Sequence, residues 1–145
     1  MEFRELTQDT LNEAAALFVQ TFNTEPWNDA WTQESACRRL SRMLEIKDSF
    51  GLCLYEGGQL CGIALGNEEI YYDGPEFWIK EFAVAQGHKG KGLGSNMMEE
   101  LIRRLRERGV KRICLLTMPG QTERFYQHQG YATDADNIIM KLELI

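Results

Sequence analysis

Hydrophobic and polar positions along the chain follow two periods, one typical of helices and one typical of strands. The helical period is clearest over residues 93–108, where Leu93, Met97, Leu101 and Leu105 share one face and Gly109 ends the pattern. The same pattern predicts three further helices: one capped by Thr7 or Asp9 that runs to Phe22, one capped by Thr32, and one over residues 121–129.

Shorter apolar segments between these helices are typical of strands. The predicted strands are residues 3–6, 50–56, 59–67, 76–85, 112–117 and 137–144, with a further short strand near Tyr131 left open. The resulting order, β-α-α-β-β-β-α-β-α-β, predicts one α/β domain over residues 1–145. We expect a mixed sheet of about six or seven strands, flanked by about four helices.

The composition agrees with one globular domain. The chain has 145 residues, of which 43% are hydrophobic, and a net charge of −6. An acidic chain argues against a general nucleic-acid partner. No apolar run is long enough to span a membrane, and the charged N-terminal residues do not resemble a signal peptide, so we expect no membrane association and a cytoplasmic location. Four cysteines without a CxxC pair argue against a structural metal site, so we expect no metal.

The charge is unevenly distributed. Residues 1–72 carry 5 basic and 12 acidic side chains, whereas residues 89–112 carry 8 basic and 3 acidic ones. This distribution suits a protein that handles one cationic and one anionic ligand. A solvated helix face rich in arginine is an equally good interpretation of the charges alone.

The most informative segment is the glycine-rich turn between the predicted strand 76–85 and the helix 93–108. A strand, a run of glycines and a helix N-terminus together present free backbone N–H groups and a positive helix dipole, which bind phosphate. The Walker pattern fails because Leu93 stands where lysine is needed, and the dinucleotide pattern fails because Ser95 stands where glycine is needed. A connector that binds no ligand is the alternative.

Two motifs in this half resemble the GNAT superfamily of N-acetyltransferases. The turn Lys89-Gly90-Lys91-Gly92-Leu93-Gly94 is similar to the acetyl-CoA-binding pattern Gln/Arg-x-x-Gly-x-Gly/Ala, with lysine at the first position as a departure. The stretch from Phe125 to Tyr131 is similar to the family's Leu/Phe-Tyr-x-x-x-Gly-Phe/Tyr ending. The family often has asparagine shortly before that helix, and Gln121 stands here instead.

The resemblance implies a GNAT-like acyl-CoA transferase fold with acetyl-CoA as acetyl donor. In such a fold the fourth strand separates from the fifth and leaves a gap for the pantetheine arm. The residues it implies for cofactor binding are Phe82, Ala83, Val84, Lys89, Gly90, Lys91, Gly92, Leu93, Gly94, Ser95, Gln121 and Tyr126.

The resemblance also implies the catalytic groups. Tyr126 matches the tyrosine that assists the departing thiolate, and Glu81 is the preferred base or amine anchor, with Glu68 and Glu69 as alternatives. A cysteine nucleophile at Cys114 is the alternative mechanism, which burial of that thiol would disfavour.

The acceptor is expected to be a primary amine on a small cationic or peptide substrate. Aromatic and acidic side chains suit a cation, and the residues predicted to contact it are Trp27, Asp29, Tyr71, Tyr72 and Glu81. A non-catalytic acyl-CoA sensor of the same fold and a protein-interaction domain without a ligand are the alternatives. We expect a monomer or a homodimer.

Overall fold

The computed structural model describes residues 1–88 and 92–145. Its five strands are β1 (Glu2–Glu5), β2 (Ser49–Glu56), β3 (Gln59–Tyr71), β4 (Gly74–Val84) and β5 (Arg112–Leu115). Its four helices are α1 (Leu11–Phe22), α2 (Gln33–Leu44), α3 (Leu93–Glu107) and α4 (Gln121–His128), and single 3-10 turns precede α1 and follow β4.

The strands form one mixed sheet in the order β1-β2-β3-β4-β5. Strands β1 to β4 pair antiparallel with one another, and β5 pairs parallel with β4. This arrangement confirms the predicted single α/β domain with four flanking helices. Among residues 1–88 and 92–145, no helix combines the length and apolarity needed to cross a bilayer.

The strand count is lower than predicted. Residues 137–144 have the alternating pattern of a strand, but in the described structure they pair with no other strand and are exposed to solvent. The short strand considered near Tyr131 is also absent from the described residues. Alternation produces a strand only where the segment lies along a sheet edge that accepts its backbone hydrogen bonds, and in the described structure residues 137–144 pair with no edge.

The sheet separates two helical layers, each with its own core. On one face α1 and α2 pack against β2 and β3 through Phe18, Leu40, Ile63 and neighbouring residues. On the other face α3 packs through Met97, Met98, Leu101 and Leu105 against residues that include Leu54 and Phe77. Since alternate residues of a strand point to opposite faces, each central strand contributes to both cores.

A β-bulge in β4 changes which residues face each layer. Leu65 pairs with Glu81 and the next residue, Gly66, pairs with Ile79, so Lys80 is the extra residue. The bulge places Ile79 and Phe82 in the α3 layer, whereas Glu81 points toward α2. Gly66 permits this close approach, because a Cβ atom there would lie 2.1 Å from the Trp78 carbonyl oxygen.

Candidate active site

A cleft opens where β4 and β5 separate. The two strands pair only from Glu76 to Ile79 on β4, whereas β4 continues to Val84, so none of the described strands pairs with the last residues of β4 on the β5 side. The cleft has a volume of about 730 Å³. Predicted site residues that line it are Trp27, Glu81, Phe82, Ala83, Val84, Gly92, Leu93, Gly94, Ser95, Gln121 and Tyr126.

The N-terminus of α3 forms one end of this cleft. Gly92 has a φ of +74°, in the left-handed region that favours glycine, and a Cβ atom there would meet no heavy atom of the described residues within 4 Å. Gly92 accepts a hydrogen bond from the Asn96 N–H, and no side chain caps this end of α3 in the described structure. Within residues 1–88 and 92–145 the first N–H groups of the helix have no acceptor, so the positive end of the helix suits a phosphate group.

The second turn glycine packs against α4. A Cβ atom at Gly94 would lie 3.2 Å from the Phe125 ring, so the absence of a side chain lets α4 approach α3 closely. Gln129 donates a hydrogen bond from Nε2 to the Ser95 hydroxyl at 2.9 Å and adds a second link between these helices. The predicted phosphate contacts at Lys89, Gly90 and Lys91 lie outside the described residues.

Tyr126 stands in the cleft within an aromatic cluster. Its ring lies edge-on to Phe125, Phe82 and Tyr131, with centroids 5.1, 6.1 and 5.7 Å apart. Burial, together with the nearby Glu81 charge, raises the pKa of Tyr126 to about 12. The hydroxyl therefore stays protonated at neutral pH and is available to donate a hydrogen bond into the cleft.

Glu81 is buried and ion-paired. It is 7% exposed, and Arg39 of α2 donates a hydrogen bond from Nε to its Oε1 at 2.6 Å. Burial raises the pKa of Glu81, and the Arg39 charge opposes that rise. Arg39 is therefore the cationic partner of the Glu81 carboxylate, and the sequence analysis did not predict it.

Two residues of the loop before α2 extend this ion pair. The Arg39 guanidinium lies 5.5 Å from the Trp31 ring centroid, and Trp31 donates a hydrogen bond from Nε1 to the Asp29 carboxylate at 3.0 Å. The Asp29 charge also raises the pKa of Glu81. Asp29 does not line the cleft, but it belongs to the cluster formed by Asp29, Trp31, Arg39 and Glu81, which we name the acidic cluster.

Tyr71 and Tyr72 lie away from the cleft. They form the tip of the β3–β4 hairpin, with Tyr71 paired to Gly74, and Ile79, the first cleft residue of β4, lies five positions after Gly74. At about 3.3 Å per strand residue the separation is roughly 17 Å. Glu68 and Glu69, the alternative bases, pair near the same tip and do not line the cleft either.

Cys114 does not line the cleft. It pairs with Trp78 on the face of β5 opposite to Ile113 and Leu115, and Leu115 is the neighbour that lines the cleft wall. Burial raises the pKa of the Cys114 thiol, which lowers its reactivity as a nucleophile.

Several cleft residues had no signal in the sequence. They include Thr21, Phe22, Leu116, Met118 and Thr122. Phe125 belongs to the predicted motif, but its contact with the Gly94 position was not foreseen. Arg39 could have been suspected from its place on the otherwise apolar stripe of Ala36 and Leu40.

The mixed sheet separates between its fourth and fifth strands, with a helix N-terminus at the gap, and this is the arrangement that the resemblance to the GNAT superfamily implied. The model of the acetyltransferase (GNAT) family matches residues 9–131. The chain therefore belongs to the acetyltransferase (GNAT) family, as the resemblance implied.

Individual relatives match a shorter part of the chain than the family model does. An uncharacterized N-acetyltransferase, ycf52, from Gracilaria tenuistipitata var. liui is 38% identical over 60 residues, which are 41% of this chain and 32% of the relative. The chain thus matches about a third of the length of that curated relative.

Solved structures cover nearly the whole chain at low identity. The aminoglycoside N-acetyltransferase AAC(6')-Iy in complex with CoA has a TM-score of 0.78 at 14% identity, covering 99% of this chain and 95% of its own. A ribosomal-protein-alanine N-acetyltransferase from Brucella melitensis biovar Abortus 2308 has a TM-score of 0.77 at 16% identity, covering 97% and 98%. At such identities the likeness shows the fold.

Proposed function

We propose that this chain transfers an acetyl group from acetyl-CoA directly to a primary amine of a small cationic or peptide substrate. The observation that carries the proposal is one cleft in which the free edge of β4, the N-terminus of α3 and Tyr126 meet. Membership of the acetyltransferase (GNAT) family supports acyl transfer in general, and one structural neighbour was solved with CoA.

The cleft fits acetyl-CoA in two respects. The free backbone of Phe82 and Val84 offers N–H and C=O groups that would pair with the amides of the pantetheine arm. The open glycine position at Gly92 and the free N–H groups of Leu93, Gly94 and Ser95 would hold the pyrophosphate. The lysines of the 89–91 turn would add positive charge, and Gln121 lies at the cleft wall.

Tyr126 would donate a hydrogen bond to the sulfur as the thiolate leaves. A phenol with a pKa of about 12 cannot fully protonate a thiolate whose conjugate acid has a pKa of about 8.5, because transfer would cost about 5 kcal/mol. A hydrogen bond to the developing charge needs no such transfer and still stabilises it.

Glu81 would anchor the amine. An alkylamine with a pKa of about 10 must lose a proton before it attacks, and near pH 7 this deprotonation costs about 4 kcal/mol. Because Arg39 holds Oε1 of Glu81, the carboxylate is a poor base on its own, and its charge is better suited to hold the amine while water carries the proton away.

The acceptor would be a cationic amine. Trp27 lines the cleft, and Asp29 and Glu81 place negative charge close to it. The aromatic ring attracts a cation through its quadrupole, and the carboxylates attract it through their charge. The names of the two structural neighbours mention acceptors as different as an aminoglycoside and a ribosomal-protein alanine. The proposal is therefore limited to cationic amines as a class.

A panel of amines tests the proposal. Polyamines, aminoglycosides and peptides with a free N-terminus are incubated with acetyl-CoA while free thiol is measured, and each N-acetylated amine serves as its matched control. We expect thiol release that depends on the free amine. CoA binding without release by any amine would favour an acyl-CoA sensor, and absence of CoA binding would favour an interaction domain.

The transfer is proposed to proceed without an acyl-enzyme. Cys114 lies outside the cleft wall and has a raised thiol pKa, so no cysteine is placed to attack the thioester. Mass spectrometry after incubation with acetyl-CoA alone should show no acetyl group on cysteine. A stoichiometric acetyl group on Cys114 that an amine discharges would contradict direct transfer.

A further inference from the structure

Two charged side chains of opposite sign lie side by side in the cleft wall. Among the described residues that line the cleft, Lys80 and Glu81 are the charged ones, and the others are apolar, aromatic or neutral polar. The two are neighbours in the chain, so their Cα atoms lie about 3.8 Å apart. The proposed function uses Glu81 to hold the amine and gives Lys80 no role. Adjacent charges of opposite sign suit a ligand that itself carries both charges.

The bulge in β4 brings both side chains to the α2 face of the sheet. Phe77 and Ile79 pack in the α3 layer, so Trp78 between them points to the other face. The Lys80 Nζ lies 5.5 Å from the centroid of the Trp78 ring, which places its ammonium on that face. Glu81 also points toward α2. Consecutive residues of a regular strand point to opposite faces, and these two share a face because Lys80 is the extra residue of the bulge.

The charge of Lys80 has no partner of opposite sign in the described structure. No carboxylate of the described residues forms an ion pair with its Nζ, and residues 89–91 contain no acidic side chain. The neighbouring Glu81 is instead held by Arg39. Because Lys80 is exposed at the cleft wall, its ammonium is available to a ligand in the cleft.

The position of Lys80 separates it from the proposed pyrophosphate site. Val84 lies beside the N-terminus of α3, where a Cβ atom on Gly94 would be 3.7 Å from the Val84 side chain. Lys80 lies four residues before Val84, a distance of about 13 Å at 3.3 Å per strand residue. It directly follows Ile79, the last residue of β4 that pairs with β5. Lys80 is therefore placed at the amine end of the cleft, beside Glu81.

We propose that Lys80 binds a carboxylate of the acceptor, so that the acceptor is an amino acid with its amine at Glu81 and its carboxylate at Lys80. The inference rests on the proposed function and narrows its acceptor to amines that carry a carboxylate on the same or the next carbon. A polyamine would place a second positive charge near Lys80, which disfavours it, and a peptide N-terminus offers a neutral amide there.

The two contacts have different consequences for the acceptor. The Lys80 ammonium is a compact charge on a flexible stem, so it attracts a carboxylate without fixing its orientation. Glu81 is held in place by Arg39, so it determines where the amine lies. Loss of the Lys80 charge should therefore weaken binding of the carboxylate and leave the position of the amine unchanged.

Pairs of acceptors that differ at the carboxylate test the proposal. Each amino acid of a panel is compared with its own carboxamide. Calorimetry on the protein saturated with CoA gives the ratio of their affinities, and thiol release from acetyl-CoA gives the ratio of their kcat/KM values. Because an amino acid and its carboxamide also differ in the pKa of the amine, the decisive quantity is the change in each ratio between the parent chain and a variant.

Lys80→Met keeps an unbranched side chain and removes the charge. We expect it to lower the preference for the carboxylate about tenfold in both ratios, with CoA affinity unchanged. Lys80→Arg keeps the charge and should retain most of the preference. The matched control is Lys47→Met, which removes an exposed lysine outside the cleft and should change neither ratio.

An unchanged ratio in Lys80→Met would overturn the proposal, and so would a parent chain that binds neither acceptor. A loss of CoA affinity in Lys80→Met would also overturn it, because Lys80 would then serve the cofactor. Failure of the proposed function has a different signature, in which no acceptor releases thiol. A calorimetric preference for the carboxylate that Lys80→Met abolishes would support the carboxylate site even then.

Discussion

The two faces of the sheet contribute different kinds of chemical group to the candidate site. On the α3 face the cleft offers backbone groups: the free edge of β4, and the N-terminus of α3 beyond Gly92. On the α2 face the cleft is lined by the Glu81 side chain, which forms the acidic cluster with Arg39 and Asp29 from two other segments. Backbone groups suit a cofactor with regular amides and phosphates, whereas side chains suit an acceptor that differs from one protein to another.

This difference has a consequence for mutation. Changes on the α3 face should alter cofactor binding or the leaving thiolate, whereas changes on the α2 face should alter stability and acceptor binding but leave CoA affinity unchanged.

The largest expected effect is that of Tyr126→Phe. Removal of the hydroxyl should lower turnover about 10²-fold, and at most about 10⁴-fold, because the thiolate then leaves without a hydrogen bond. CoA affinity should change little. Tyr131→Phe is the matched control, since its hydroxyl donates to the Met98 sulfur and does not line the cleft.

The pH profile separates the roles of tyrosine and amine. The rate should rise from about pH 6 to about pH 9, because more of the amine is deprotonated. Tyr126→Phe should lower the plateau and leave that rise in place, since a hydroxyl with a pKa of about 12 does not titrate there. Full turnover of Tyr126→Phe with an amine for which chemistry is rate-limiting would show that the ring serves packing alone.

The second largest effect is expected for Arg39, on the α2 face. Arg39→Gln leaves the buried Glu81 carboxylate without its cation and should lower the free energy of unfolding by about 1–3 kcal/mol. This is less than for a fully buried pair, because the guanidinium is 42% exposed. Arg38→Gln is the control, since Arg38 pairs with Glu34 on the surface. CoA affinity should be unchanged in both.

The loss in Arg39→Gln should depend on pH. Because burial raises the pKa of Glu81 in the folded state, its contribution to stability is fully present below the unfolded pKa of about 4.3 and is lost as pH rises through the folded pKa. Removal of Arg39 raises that folded pKa further. Urea unfolding should therefore show a difference from the parent chain that grows between about pH 4.5 and pH 7, and a constant difference would contradict this account.

The smallest effect concerns the helix that carries Arg39. Thr32 caps α2: its hydroxyl accepts a hydrogen bond from the Ser35 N–H at 3.0 Å, and its own N–H donates to the Ser35 hydroxyl at 2.9 Å. Thr32→Ala should lower the free energy of unfolding by about 1 kcal/mol. Calorimetric CoA affinity should stay the same, and a tenfold loss would show that the two faces are coupled.

More of the predicted residues on the α3 side than of the predicted acceptor residues line the cleft. The turn glycines belong to one local strand–turn–helix pattern from β4 to α3, and Tyr126 belongs to a second short motif on α4, so local sequence marks each of them. The ion pair between Arg39 and Glu81 joins residues 42 positions apart and depends on the bulge at Lys80, which reverses the alternation of β4. No local period marks such a bulge, so side-chain direction beyond it could not be predicted.

The strand predicted over residues 137–144 is absent from the described structure for a related reason. Alternation over residues 137–144 indicates what such a segment can bury, but the partner edge is a property of the assembled sheet. The hairpin tip at Tyr71 and Tyr72 was placed near the acceptor because it is aromatic, whereas the length of β3 and β4 carries it away from the cleft.

The central claim, that the N-terminus of α3 holds the pyrophosphate, is tested most directly by two glycine variants at opposite ends of that helix. Gly92 and Gly109 have φ values of +74° and +83°, and at neither position would an added Cβ lie within 4 Å of a heavy atom of the described residues. Valine should therefore strain both backbones to a similar extent. Calorimetry should show CoA affinity lost in Gly92→Val and retained in Gly109→Val, whereas equal affinity in the two variants would contradict the claim.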